Sequence, residues 1–223
     1  MKLSKQTLDI LKELSSITTT IALVEGNVIS CRNQAKTIMA YVTIPDKLDF
    51  SFNLYDTPEF LSMMSLFDEP ELVFEDNYVV IKDAMQSIKY HNSADNLMVG
   101  TKAPATIKFP DADVSFSITK PQMDNIMKSA NVFKTEAIAF KGDGKTLKAV
   151  VIGDKKSDSS NTYSIEVGTT DKVFTSFFKK DDLKLPSNNY DIDISAKGIA
   201  RFLNSEIGST YYVAVQADST FEV

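Results

Sequence analysis

Lys5, Lys12, Lys120, Lys128, Lys180 and Lys184 are the side chains whose type and spacing could do chemistry together, and that chemistry is electrostatic. A lysine ammonium is a hydrated point charge on a flexible stem, able to attract a phosphate without the bidentate geometry an arginine imposes. Such attraction is indifferent to base sequence, because only hydrogen bonds to base edges read one. On one helix alone, a row of lysines reads more simply as a solvated face. The case for a role rests on repetition. The opening MKLSKQTLDILKEL is restated in the stretch from Val114 to Phe133, VSFSITKPQMDNIMKSANVF, and one constant offset places Ser4 on Thr119, Lys5 on Lys120, Leu8 on Met123, Asp9 on Asp124 and Leu11 on Ile126.

Other sources of chemistry are sparse. His91 is the only histidine, so any triad or zinc site would have to use it, and beside Tyr90 at a strand end it reads as a solvated edge residue. Cys31 is the only cysteine, which excludes an internal disulfide, and its apolar neighbours favour a buried, inert thiol. The segment GDGKT resembles a phosphate loop only superficially: the first glycine of that motif would fall at Ala139, and both flanks read as strands. The carboxylates fall mainly in turns and on helix surfaces. No catalytic residue, metal ligand set or cofactor is expected.

Lysines in register need helices to hold them. Ser4 and Thr119 can cap helices through their hydroxyls, and Pro121 sits in a first turn where its missing N–H costs nothing. Leu8, Leu11 and Leu14, like Met123, Ile126, Met127 and Ala130, form an apolar stripe with the lysines pointing away. Between the two copies the chain reads as sheet: a hairpin of Ile21 to Val24 with Val28 to Arg32, a strand Ile38 to Ile44 ended by Pro45, and strands Leu72 to Glu75, Tyr78 to Lys82 and Met85 to Tyr90. A second amphipathic helix, capped by Asp56 with Pro58 in its first turn, carries Phe60, Met63, Met64 and Phe67 and no outward cation.

Residues 93–112 lose periodicity and read as a connector between an N-terminal domain, 1–92, and a C-terminal domain, 113–223. Beyond it, Ala137 to Phe140 and Thr146 to Ile152 flank the turn at Gly142-Asp143-Gly144, residues 153–161 read as a polar loop, and Tyr163 to Val167 as a strand. KKDDLKLPS reads as a short helix bearing Lys179, Lys180 and Lys184. The segment AKGIARFLN fits a helix locally, but the repeat requires a turn at Ala196-Lys197-Gly198 and a strand from Ile199 to Leu203. The last strand is expected at Tyr211 to Ala217.

A chain of 223 residues can hold two such domains, each with its own core. No apolar run approaches a membrane span, and Asp9 and Glu13 among the first leucines argue against a signal peptide. A net charge of −6 argues against a general nucleic-acid-coating protein, so any such contact must be local.

With this order in hand, the chain resembles the DNA sliding clamps, most of all those of T-even-type bacteriophages. The residues carrying the resemblance are MKLSK, the Phe50-to-Leu61 segment FSFNLYDTPEFL, IKFP at the end of the connector, NNYDIDISAKG, and the closing YYVAVQADST. The resemblance implies an α+β sliding-clamp fold of two similar helix-on-antiparallel-sheet domains, ring-forming. Six modules, two per chain, make a homotrimer joined by edge strands, with Lys5, Lys12, Lys120, Lys128, Lys180 and Lys184 facing DNA in the ring interior. It further implies a non-enzymatic processivity factor without cofactor or metal, acting on duplex DNA of any sequence in the cytoplasm of the infected bacterial host. Its partners are a DNA polymerase and an ATP-dependent clamp loader, with no membrane involved. Partner tails are expected in an apolar pocket of Ile107, Phe109, Tyr212, Val213 and Ala214; the alternative is that Ile107 and Phe109 only staple the connector to the second domain. The competing class is a ring- or tube-forming viral structural protein, which would not need cationic helices in both repeats.

Overall fold

All three helices with predicted caps begin at them, Ser4, Asp56 and Thr119. The computed structural model describes residues 1–98, 101–153 and 160–222, and the chain divides into two units, Met1–Ala105 with Ile207–Ser209 and Thr106–Glu206 with Thr210–Val223.

In the first unit, helix α1 spans Lys5–Leu14. Its N-cap Ser4 accepts the Thr7 N–H at 3.2 Å, while the Ser4 N–H and hydroxyl donate to the Asp46 carboxylate at 2.7 and 2.9 Å. Thr7, Ile10, Leu11 and Leu14 are buried; Leu8 is only half-buried. The strands that follow are β1 (Ile21–Leu23), β2 (Gly26–Arg32), β3 (Ile38–Leu48) and β4 (Phe52–Leu54).

Two expectations fail here. The Ile21–Val24 and Val28–Arg32 segments do not form a hairpin: β1 pairs with β4, and β2 with β3. All three β1 residues are buried, as in a strand enclosed on both faces, and Gly26, at φ 124°, turns the chain away as β2 begins. Nor does Pro45 end β3. The β2–β3 register skips from Val28↔Thr43 to Gly26↔Leu48, so the proline sits in a bulge where no ladder N–H is required.

Helix α2 (Thr57–Met64) starts at Asp56, whose carboxylate accepts the Glu59 N–H at 2.9 Å. It buries Phe60 and Met64, and Phe67 lies beyond its end. Strands β5 (Glu71–Phe74), β6 (Tyr78–Lys82) and β7 (Ser87–His91) form an antiparallel sheet. Met1 covers the outer edge of β5, exchanging hydrogen bonds with Leu72 in both directions at 2.7 Å. The connector holds one helical turn that the sequence reading missed, α3 (Asp95–Met98), where Asp95 accepts from the Asn53 amide at 2.9 Å and Met98 is fully buried.

In the second unit, β8 (Val114–Ile118) leads into α4 (Lys120–Val132). Strands β9 (Ala137–Asp143), β10 (Thr146–Ile152), β11 (Thr162–Thr169) and β12 (Val173–Lys179) follow, then β13 (Tyr190–Ser195), β14 (Ile199–Asn204), β15 (Ser209–Ala214) and β16 (Thr220–Phe221). One sheet runs in the order β11-β10-β9-β12-β16, while β8, β13, β14 and β15 are neighbours in that order in another. AKGIARFLN is turn and strand, as the repeat required. The last strand stops at Ala214 rather than Ala217, and the chain turns to lay β16 along β12, where Phe221 stacks on Phe174 at 5.7 Å.

GDGKT is a hairpin turn, with the Asp143 carboxylate accepting the N–H groups of Lys145 and Thr146 at 3.0 and 2.7 Å. A Cβ on Gly142 would lie 2.6 Å from the Lys172 carbonyl oxygen, so this strand position admits only glycine without rearrangement. The loop expected at 153–161 falls mostly outside the described residues.

Candidate nucleic-acid interface

The stripe that buries Ile10, Leu11 and Leu14 leaves Lys5 and Lys12 exposed, and neither forms an ion pair among the described residues. The α1 surface is not uniformly cationic. Asp9 is exposed beside them, and Glu13 titrates above its ordinary range because burial disfavours its charge and Asp9 adds repulsion. A groove of about 990 Å³ separates α1 from α2, lined by Leu8, Pro58, Leu61 and Met64 together with Lys5, Asp9 and Lys12. The polar groups on the α2 side are the Ser62 and Ser65 hydroxyls, which donate to the carbonyls of Pro58 and Ser62 at 2.8 and 2.7 Å.

On α4 the cap is reciprocal. Thr119 donates its N–H to the Gln122 side chain at 2.9 Å and accepts from the Gln122 N–H. The Gln122 amide then donates to the Glu166 carbonyl of β11 at 3.2 Å, tying the helix to the sheet edge. Lys128 is exposed and makes no ion pair among the described residues. Lys120 differs. Its ammonium lies 3.4 Å from the Asp124 carboxylate and also meets the Ser187 hydroxyl, which donates to Asp124. The Ser187 hydrogen bond above all, with the hydrogen bond and charge of Lys120 and the charge of Lys128, holds the Asp124 carboxyl below its usual range although burial opposes the shift.

The remaining two lysines are not on an α-helix. KKDDLKLPS gives only a 3₁₀ turn, Lys180–Leu183, because Asp182 and Leu183 turn inward and Pro186 stops any continuation. Lys179 ends β12, Lys180 is half-buried, and Lys184 lies past the turn, paired with Asp181 at 2.7 Å. Four exposed lysines on two helices, with Lys120 partly neutralised, are what the fold presents.

The expected pocket residues lie within the second unit. The Phe109 ring is half-exposed, 6.1 Å from Tyr212, and the Arg201 guanidinium stands 5.0 Å from its centre while donating to Asp193 from Nε at 3.1 Å. Arg201 escaped the sequence reading, which carries no signal for a residue so distant in the chain. Ile107 and Ala214 are half-exposed, whereas Val213 is fully buried, turned to the core by strand alternation. Cys31 is fully buried, and burial pushes its thiol up to about 12. His91 is exposed, with its ring 6.2 Å from that of Tyr78. Among the described residues, no group of His, Cys, Asp or Glu side chains is placed to hold a metal ion.

Against proteins of known role, the chain is 30% identical over 233 residues to the sliding clamp of Escherichia phage RB69, and the match covers all of both chains. The chain belongs to the sliding-clamp family. The sliding clamp of Enterobacteria phage T4 is also 30% identical over the whole of both chains, and that of Vibrio phage KVP40 is 28% identical over 97% of this clamp and all of its own length. No protein-family model matches the chain.

Solved structures share the fold at much lower identity. Archaeal PCNA from A. fulgidus, determined with the C-terminal region of FEN-1 bound, superposes with a TM-score of 0.66 at 13% identity, covering 96% of each chain. The β chain of DNA polymerase III from Streptococcus pneumoniae gives 0.66 at 12% identity over 94% of this clamp and 63% of that chain. The α+β clamp fold that the resemblance implied is the fold found. Like the other members of its family, this clamp is a processivity factor rather than a catalyst, and nothing in these likenesses favours a viral structural protein.

Proposed function

We propose that three copies of this clamp close head to tail around duplex DNA, with α1 and α4 toward the nucleic acid, and tether a DNA polymerase to its template. The observation that carries this reading is a pair of exposed lysines on each of two capped helices, with Lys5 and Lys120 at matching positions, in a chain whose net charge is −6. Local cations attract the phosphate backbone without reading bases, and the acidic remainder repels DNA from other surfaces. Because a closed ring cannot thread onto DNA without ends, an ATP-dependent loader is part of the proposal. So is action in the cytoplasm of an infected bacterium.

Ring closure needs two free strand edges per chain, and β7 and β11 supply them. Each is the outermost strand of its sheet. Asn92 donates its N–H to Asn77 on the β6 side, so by the alternation of an antiparallel ladder the backbone groups of Ser87, Lys89 and His91 point outward. On β11, Gly153 donates to the Asn161 carbonyl, which sets Thr162, Ser164 and Glu166 outward by the same alternation, the Glu166 carbonyl being taken by the Gln122 amide and those of Thr162 and Ser164 left for a neighbour. Lys89 and Glu166 add opposite charges to the two edges.

Partner tails are proposed to dock on Phe109 and Tyr212, with Arg201 at the rim able to meet an acidic group. The bound FEN-1 segment on archaeal PCNA supports this mode by analogy.

The test is residence on nicked circular DNA, from which a ring cannot slide off an end. Reversing charge at Lys5, Lys12, Lys120 and Lys128 should shorten residence at least tenfold while scarcely changing the melting temperature, since exposed lysines contribute little to stability. Unchanged residence, or an equal loss on reversing Lys36 and Lys197, would overturn the assignment.

A further inference from the structure

Each lysine helix carries an acid between its cations: Asp9 stands one turn from Lys5 and from Lys12, and Asp124 one turn from Lys120 and from Lys128. The offset that superposes Lys5 on Lys120 superposes the two acids as well. Acids placed among phosphate-binding lysines weaken the attraction, so their recurrence needs a reason.

The second copy shows one in its geometry. Asp124 accepts from the Ser187 hydroxyl, and the Lys120 ammonium sits 3.4 Å from the other carboxylate oxygen. Ser187 belongs to a segment that is itself fixed. Tyr190 donates its hydroxyl to the Pro186 carbonyl at 2.6 Å, Asn204 donates to the Asn189 carbonyl at 3.0 Å, and the Asn189 side chain accepts the Lys120 N–H at 2.8 Å. A free solvated pair one turn apart on a helix shifts easily and contributes little. This carboxylate is instead held by a hydroxyl from a distant, anchored segment, and its side chain is only 34% exposed.

We propose that Asp124, positioned by Ser187, competes with DNA for the Lys120 ammonium and thereby limits how tightly α4 holds any one phosphate. The inference rests on the DNA-encircling reading. A phosphate reaching Lys120 must displace or share an existing partner, and one moving between Lys120 and Lys128 passes a fixed negative charge. Both effects flatten the attraction along the helix. A clamp that slides requires a shallow profile, since a phosphate held strongly at one point would stall it.

The test is direct binding of the full chain to a short labelled duplex, followed by fluorescence anisotropy across a salt series without loader or polymerase. Freeing one lysine for a phosphate should steepen the slope of log K against log salt by about 0.9, equivalent to about a threefold larger loss of affinity between 50 and 200 mM salt. Asp124→Asn is expected to show that slope and a Kd at least threefold lower at the lowest salt. Ser187→Ala should shift both in the same direction by less, and the Asp124→Asn gain should fall by more than half in a Lys120→Gln background. Asp124→Glu should restore the wild-type slope, which a purely structural role would not predict. A wild-type slope in Asp124→Asn overturns the proposal, as does a gain undiminished without Lys120, which would reflect net charge alone. If Lys5→Gln and Lys128→Gln still reduce the slope, the DNA-facing reading survives that failure; if they do not, both fall.

Discussion

Replacing Lys89 by proline should open the proposed ring while leaving the subunit folded. The Lys89 backbone N–H points away from β6, so the ladder bonds around it, Asp83 N–H to Gln86 carbonyl at 3.0 Å and Asn92 N–H to Asn77 carbonyl at 2.9 Å, do not depend on it. Proline is tolerated at such an edge position. Across a joint with β11, the same N–H would donate to a carbonyl of the neighbouring copy. Losing that bond costs about 1 kcal/mol net, and leaving the opposing carbonyl unpaired raises the loss to about 2 kcal/mol per joint. At about 1.4 kcal/mol per decade, each joint should weaken about thirtyfold. The Lys89 ammonium also lies 4.1 Å from the centre of the Tyr78 ring, a contact worth about 0.5–1 kcal/mol at an exposed site. Lys89→Gln loses that contact and the charge but keeps the N–H, and so isolates the backbone effect. Sedimentation velocity over a dilution series should show wild type and Lys89→Gln as trimers at micromolar concentration and Lys89→Pro as monomers or open oligomers with unchanged circular dichroism. A Lys89→Pro protein that dilutes as a wild-type trimer would refute β7 as a joint; a wild-type monomer would refute the trimer itself.

Phe109→Asp should preserve the trimer and weaken binding of the polymerase's C-terminal peptide at least tenfold, about 1.4 kcal/mol, by fluorescence anisotropy; unchanged affinity in a folded variant would remove Phe109 from the pocket, and unfolding would favour the staple. Asp46→Ala should cost about 2 kcal/mol in urea denaturation at neutral pH, because two hydrogen bonds from Ser4 to a charged acceptor are lost with it. Burial raises the Asp46 pKa, but hydrogen bonds from Thr7 and Ser4 outweigh it, so the folded value lies below the unfolded one. Its contribution should therefore be complete above about pH 5 and disappear as pH falls below about 4, with the wild-type and Asp46→Ala stabilities converging in acid.

Local chemistry made much of this molecule legible. Ser4, Asp56 and Thr119 start their helices where hydroxyl and carboxylate caps are expected, since a cap satisfies donors within three residues of itself. The repeat overruled the helical periodicity of Ile199, Phe202 and Leu203, correctly, because it carried information from the other half of the chain. Where both signals were silent the reading failed. Pairing of β1 with β4 depends on which strand covers which, and β3 runs on through Pro45 only because its pairing with β2 resumes beyond the bulge, at Gly26 and Leu48.

The candidate surface divides along the same line. The sequence alone determined that lysines recur on the outer faces of two amphipathic helices, because a stripe of period 3.6 fixes which side is buried wherever the helix packs. Only the tertiary structure decided that Lys184 is paired with Asp181 beyond a 3₁₀ turn, that Lys120 shares Asp124 with Ser187, and that Arg201 stands over Phe109. For Ser187 and Arg201 the partners are far apart in the chain, and no local pattern encodes which distant side chain will arrive. Lys184 is close to Asp181 in sequence, but whether a helix would separate or join them depended on Asp182 and Leu183 being drawn into the core.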